Sequence, residues 1–304
     1  MKRVLITGIT GYIGAHLAKE LLKCGIEVNG LVRQPLNTTY ISDIQHKLNL
    51  YIYDGTYDSV LNAIKQADPD FVFHLATYYA RNHSAQELTA MNHCNILYGN
   101  YVLEAMRTCE VRHIVYTSTV FCHYQQDSYN PLNLYAATKQ AFFDLMKYYT
   151  DAYGIKSITL FLSDSYGPND KRSKLLNLLK NACLENQPIN VSSGQQDYDI
   201  LYISDIVDAL IHAGSLLPSQ NVSSVSYQIY SDRCHSLKDT VSIMEQVNQI
   251  SIPVNWGALP TSTRSIQKAV RVYPLLPGWH AKVGLEAGLQ RFWDSELNCT
   301  IFET

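Results

Sequence analysis

Thr7-Gly8-Ile9-Thr10-Gly11-Tyr12-Ile13-Gly14 decides the fold of this chain. It follows the short apolar run Arg3-Val4-Leu5-Ile6, which reads as a buried strand. It precedes Ala15-His16-Leu17-Ala18-Lys19-Glu20-Leu21-Leu22, whose apolar positions recur at helical spacing. Strand, glycine turn and helix together make a phosphate cradle. A residue without a Cβ lets the backbone approach a pyrophosphate, and the start of a helix offers unpaired N–H groups and the positive end of the dipole. The spacing is G-x-x-G-x-x-G rather than G-x-G-x-x-G. Three glycines at these intervals also suit a plain surface turn, but their place between strand and helix favours a dinucleotide. Gly8, Thr10, Gly11, Tyr12, Ile13 and Gly14 are therefore candidate contacts.

The bulk properties exclude several classes. A chain of 304 residues with 46% hydrophobic content is an ordinary globular protein of one large or two closely packed domains. A net charge of -3 gives no reason to expect a nucleic-acid or membrane partner. No run approaches the roughly 20 apolar residues of a membrane span, and Met1-Lys2-Arg3 leads straight into a strand, with no signal peptide. Seven cysteines without close pairing read as free thiols in a reducing cytoplasm. No metal site is expected.

The first half of the chain alternates strand and helix. Further strands are expected at 27–32, 48–53, 71–75, 113–117 and 157–162, with helices at 95–109 and 136–152 among them. Repeated strand–helix–strand units imply an α/β fold: a doubly wound parallel sheet whose strand C-termini line one crevice. After Gly167-Pro168 the pattern loosens, with helical stretches at 174–185 and 236–247. Residues 1–167 are thus read as a dinucleotide-binding domain and 168–304 as a smaller substrate-binding lobe, with about 198–212 returning to the main sheet.

Tyr135 and Lys139 lie four apart at the start of a helical stretch, one turn separated on one face. A phenol with a pKa of about 10 is a poor proton donor near neutrality, and a nearby ammonium lowers that value. An ordinary amphipathic helix also accommodates both residues. Upstream, Tyr116-Thr117-Ser118-Thr119 closes a strand, placing hydroxyls where open parallel sheets bind ligands. A plain Ser/Thr loop is the alternative.

Gly8, Gly11 and Gly14, then Thr117, then Tyr135 with Lys139, resemble in that order an extended short-chain dehydrogenase/reductase. The resemblance runs over nearly the whole chain. His74-Leu75-Ala76-Thr77 is similar to the family's H-L-A-A turn, Asn95 to the asparagine opening its next helix, Tyr166-Gly167-Pro168 to its Y-G-P, and 194–205 to its R-D-F-I-Y-V-D-D stretch. Within the family the chain is most similar to nucleotide-sugar epimerases, dehydratases and reductases, and among these to the CDP-abequose and CDP-paratose synthases. The resemblance implies that Tyr135 exchanges the proton, Thr117 hydrogen-bonds the reacting oxygen, and Lys139 binds the nicotinamide ribose and tunes Tyr135. Ser118 is the alternative to Thr117. Leu75, Ala76, Thr77 and Asn95 join the cofactor-binding set, and a homodimer through helices 95–109 and 136–152 is implied.

The family's acidic residue after the second strand is replaced here by Val32-Arg33. With no carboxylate to repel a 2′-phosphate, Arg33 suits NADPH better than NADH; a solvated surface arginine is the alternative. Asp54 resembles the adenine-side aspartate or caps the next helix. The dehydratases' Asp-Glu pair after the catalytic threonine is here Ser118-Thr119, which argues against dehydration. The implied reaction is therefore reduction of a nucleotide-activated 4-keto-6-deoxy sugar, a step of deoxysugar and polysaccharide (O-antigen) biosynthesis. The alternatives are a 4-epimerase, and a non-catalytic NADP(H)-binding regulator, a class that characteristically lacks the tyrosine.

The substrate half departs from the family pattern. Asp164 stands where the family has asparagine, and Tyr198 where it has arginine. Lys171, Arg172, Lys174 and Arg264 are candidates to replace the positive charge, each equally readable as a surface residue. Tyr78, Tyr79 and His123 are candidate sugar-pocket residues.

Overall fold

The computed structural model describes residues 1–260 and 264–300. In chain order its elements are β1 (Arg3–Thr7), α1 (Tyr12–Lys23), β2 (Glu27–Val32), β3 (Asn49–Ile52), α2 (Tyr57–Ala67), β4 (Phe71–His74), α3 (Ala85–Asn92), a π-helical turn (His93–Leu97), α4 (Tyr98–Thr108), β5 (His113–Thr119), α5 (Leu134–Tyr153) and β6 (Lys156–Leu162). There follow β7 (Asp164–Tyr166), α6 (Leu175–Leu184), β8 (Ile189–Asn190), β9 (Asp197–Tyr198), β10 (Ile200–Tyr202), α7 (Ile203–Leu216), β11 (Ser224–Ile229), β12 (His235–Ser236), α8 (Leu237–Asn248), β13 (Val254–Asn255) and α9 (Leu285–Thr300).

Seven parallel strands form the central sheet in the order β11-β6-β5-β4-β1-β2-β3. The order reverses on either side of β1, which places a ligand crevice beyond the C-terminus of that strand. Helices cover both faces of the sheet, so its central strands are mainly apolar and successive residues serve different cores. Val4, Ile6, Phe71, Phe73 and Val115 join the core on the side of α1 and α7. Leu5, Val72, Ile114 and Tyr116 join the core on the side of α2, α4 and α5.

Two expectations change. Residues 198–212 do not return to the main sheet as a strand. Ile200–Tyr202 pairs only with β7, and the chain then turns into α7, because Ile203, Ile206, Val207 and Leu210 follow helical spacing and bury one stripe against the sheet. The strand that completes the sheet is β11, beside β6. The helix expected to open at Asn95 starts ten residues earlier, at Ala85. Ser84 accepts the Glu87 N–H while the Glu87 carboxylate accepts the Ser84 N–H, a capping box. Asn95 lies inside the π turn that joins α3 to α4.

Gly14 shows how closely α1 is seated. A Cβ on it would stand 2.2 Å from the Gly8 carbonyl oxygen. Gly14→Ala is therefore expected to destabilise the fold by about 1–3 kcal/mol, read as a lowered midpoint in thermal melts.

Candidate functional site

The cradle forms at the C-terminus of β1. Gly8 has φ +73°, and a Cβ there would meet the Ala76 nitrogen at 2.8 Å. The Gly11 N–H returns to the Gly8 carbonyl at 3.0 Å. Gly11 is also the N-cap of α1 and brings no side chain to it; the first turn carries no acidic residue. The N–H groups of Tyr12, Ile13 and Gly14 therefore open toward the crevice without a capping oxygen. That is the donor set a diphosphate requires. Thr10 and Ile13 are partly exposed at its mouth. Tyr12 contributes through its backbone alone, because its ring is buried and its hydroxyl donates to the Pro168 carbonyl at 3.0 Å.

Leu75 and Ala76 are laced to β1. Their N–H groups donate to the Thr7 carbonyl at 3.2 Å and the Thr7 hydroxyl at 3.3 Å. The same hydroxyl meets His74 Nδ1 at 2.9 Å. Burial, aided by the Lys139 charge, pushes His74 down to about 3 and keeps it neutral. Arg33 follows β2, is exposed, and has no hydrogen-bond or ion-pair partner among the described residues. Asp54 holds the turn before α2, accepting from the Thr56 hydroxyl at 2.7 Å and its N–H at 2.9 Å. Those hydrogen bonds lower its carboxyl below the usual range; the cap of α2 is Thr56, which accepts the Ser59 N–H, and Asp54 holds that cap in place.

At the reacting end, α5 begins at an Asn133 cap whose side chain accepts the Ala136 N–H. Tyr135 is partly exposed. Its ring meets that of Tyr79 edge-on, centroids 4.9 Å apart. Burial raises the phenol well above its ordinary value, with Cys122, Tyr79 and Asp164 adding to the effect. A hydrogen bond with the Thr77 side chain opposes it. The expected lowering by Lys139 is not among the leading influences. The ammonium lies over the Tyr116 ring, 4.4 Å from its centroid. Lys139 is only 2% exposed and makes no hydrogen bond among the described residues. Burial lowers its pKa to about 8. A buried ammonium without an oxygen partner is unfavourable alone, and the ribose hydroxyls of a dinucleotide would complete it. The residues present thus fit such a cofactor at both ends of the crevice.

Of the β5 hydroxyls, that of Tyr116 donates to the Lys139 carbonyl at 3.1 Å, and Ser118 Oγ lies 3.9 Å from Cys122 Sγ. Thr117 is 8% exposed, and its hydroxyl has no partner among the described residues. Asn95 takes a different part from the cofactor contact expected. Its amide donates to the Tyr78 carbonyl and the Thr138 hydroxyl, both at 2.9 Å, and its carbonyl accepts from the Tyr78 N–H at 2.7 Å and the Thr77 hydroxyl at 3.2 Å. With every polar valence used, Asn95 clamps the 77–78 segment onto α5 between Tyr135 and Lys139.

The substrate candidates separate likewise. Asp164 and Lys174 form an ion pair, and Lys174 Nζ also reaches the Ser165 hydroxyl at 3.2 Å. The carboxylate that departs from the family pattern is thereby neutralised. Tyr198 is half-buried, and Asp164 is among the groups acting on its phenol. Tyr78 gives its hydroxyl to Glu87 at 3.3 Å. His123 is not a pocket residue: it is 1% exposed, packed between Phe161 and Tyr273, with Nδ1 on the Asp127 carbonyl. Arg264 is committed to the loop before α5, reaching Asn130 Oδ1 and the Pro131 carbonyl at 2.7 Å. Arg172 pairs with buried Asp170, and Lys171 is exposed. Sequence reasoning missed Arg271, whose guanidinium pairs with buried Asp199 at 2.8 Å and covers Tyr230; its partners lie about 40 to 70 residues away and leave no local signal.

A family model described as "NAD dependent epimerase/dehydratase family" matches residues 4–223. The CDP-abequose synthase of Salmonella muenchen is 26% identical over 293 residues, 95% of this chain and 96% of that protein. Among solved structures, MoeE5 in complex with UDP-glucose and NAD is 25% identical with a TM-score of 0.81, across 98% of this chain and 99% of that one. The UDP-glucose 4-epimerase of Thermus thermophilus, solved with NAD, shares the fold at a TM-score of 0.82 and 22% identity, covering 96% and 98%.

Lys139→Met tests the buried ammonium. It is expected to stabilise the cofactor-free protein by about 1–2 kcal/mol while weakening dinucleotide binding at least tenfold, read by melting and by fluorescence titration. The pH dependence has a defined sign. With a folded pKa of about 8 against an ordinary 10.5, the burden on the fold is complete below pH 8 and lifts between about 8 and 10.5. Cofactor affinity should fall across the same window as the charge is lost.

Proposed function

The chain belongs to the NAD dependent epimerase/dehydratase family, and from that premise we propose that it is an NADPH-dependent reductase of a nucleotide-activated 4-keto-6-deoxy sugar. The observation that carries this reading is the unpartnered guanidinium of Arg33 at the end of β2, with no carboxylate beside it to claim a ribose 2′-hydroxyl. A 2′-phosphate would supply its missing anion. NADPH suits a net reduction, in which the cofactor is exchanged at each turnover. The likeness to a CDP-abequose synthase over 95% of the chain supports the same reading.

When bound, the reduced nicotinamide supplies hydride to C4. Tyr135 gives its phenolic proton to the ketone oxygen as the C–O π pair moves onto that atom. Thr117, whose hydroxyl is uncommitted, holds the reacting oxygen; Ser118 already contacts Cys122. Lys139 binds the ribose and Asn95 fixes the 77–78 wall of the crevice. Residues from 168 onward, with Lys174 and Tyr198 facing Asp164, form the sugar-nucleotide side. The protein acts in the cytoplasm as a homodimer through the outer faces of α4 and α5, where Tyr148 is 55% exposed. No described helix is long and apolar enough to cross a membrane.

The 4-epimerase reading is favoured by one finding, the NAD and UDP-glucose held by MoeE5. NADPH oxidation with CDP-, GDP- and dTDP-linked 4-keto-6-deoxy sugars separates the two: stoichiometric oxidation means reduction, and sugar interconversion without it means epimerisation. Tyr135→Phe should lose at least a hundredfold in turnover while still binding cofactor. Retention of near-full rate would remove Tyr135 as donor. Arg33→Ala should weaken NADPH about tenfold and leave NADH unchanged in titrations; equal effects on both would remove the argument for the phosphate.

A further inference from the structure

Two segments distant in sequence meet over the first turn of α1. One is the loop that follows β2, residues 33–48; the other is the strap that follows β7, residues 167–174. Tyr12, the first residue of α1, is where they converge. Its ring meets Tyr40 of the loop edge-on, centroids 5.4 Å apart. The Arg172 guanidinium of the strap lies 4.5 Å from the same ring, and the Tyr12 hydroxyl donates to Pro168 at 3.0 Å. The strap is rigid here, because Arg172 forks onto Asp170, whose side chain is 1% exposed. Loop and strap are joined by one hydrogen bond among the described residues: the Lys171 N–H donates to the Tyr40 hydroxyl at 2.9 Å.

The loop is anchored unevenly. Arg33, Gln34, Pro35, Asn37 and Thr39 are exposed, with Leu36 alone of this first half packed against the core. From Tyr40 onward it is held by buried Ile41, by Ile44 and Leu48 against the core, and by an ion pair between Lys19 and Asp43 at 3.0 Å. The exposed first half is the part able to open locally at low free energy. Arg33 stands at the base of this loop, and Tyr12, on which loop and strap meet, is the first residue of α1.

We propose that Tyr40 is the latch of a clasp over the dinucleotide, and that cofactor release requires the Tyr40–Lys171 hydrogen bond to open. This rests on the dinucleotide reading given above. Tyr40 is a positioning residue, acting through the loop that carries Arg33 and touching no reacting atom. An enzyme that exchanges its cofactor at every turnover needs a latch that is weak and made of one bond. The clasp supplies that while the strap itself stays fixed by its own ion pair.

The test is Tyr40→Phe in the full chain, which removes one oxygen and keeps the ring against Tyr12. Stopped-flow fluorescence of NADPH displacement should show release about fivefold faster, the equivalent of one ordinary hydrogen bond, with the association rate within twofold of wild type. In the cofactor-free protein the Lys171 amide should exchange with solvent faster than in wild type. An unchanged release rate, or an unchanged Lys171 amide, overturns the clasp. If the wild-type protein binds neither NADPH nor NADH, the clasp and the dinucleotide reading fall together. If it binds and only the Tyr40 effect is missing, the clasp alone fails.

Discussion

Contact between the first turn of α1 and the end of β1 sets the position of nearly everything else. Gly14 rests on the Gly8 carbonyl with no room for a Cβ, and Gly8 in turn lies against the Ala76 backbone. Helix, strand and the segment after β4 are therefore fixed to one another at backbone distance. Side-chain packing tolerates small shifts, but backbone contacts of this kind do not. The Thr7 hydroxyl extends the constraint to His74 and Ala76, and Asn95 carries it from 77–78 to α5. Through these links the cradle and Tyr135 keep a common frame.

That frame carries an electrostatic burden. Lys139 is buried against an aromatic face with no oxygen acceptor among the described residues, and its neighbour His74 is kept neutral by burial. Tyr135 is held protonated by the same apolar surroundings. Such an arrangement is less stable by itself than an apolar filling would be. It is suited to a partner that brings its own hydroxyls. By contrast Asp164, Asp170 and Asp199 are each met by a cation from within the chain, so their charges are already balanced.

The parts legible in the sequence were those whose causes are local. The glycine spacing at 8, 11 and 14, the apolar runs of β1 to β6, and the turn between Tyr135 and Lys139 all follow from short-range chemistry. Ser84 and Glu87 also carried a readable capping signal for α3, which the stronger pattern after Asn95 obscured. The rest depended on long-range partners. Nothing near Asn95 foretells its bonds to Tyr78 and Thr138, and nothing near Arg264 foretells its grip on 130–132. His123 reads as a pocket residue until Phe161 and Tyr273 close over it. The run from Ile200 to Val207 suits strand or helix until its neighbours choose.

The strand beside β6 comes from residues 224–229, long after β6 itself. On a ribosome working at about 5–20 residues per second, several seconds separate their emergence. During that interval the nascent sheet presents β6 as a bare edge, with unpaired backbone groups able to capture a neighbouring chain. Translation speed through the stretch between them, and chaperones that shield that edge, thus bear on the yield of correctly assembled molecules.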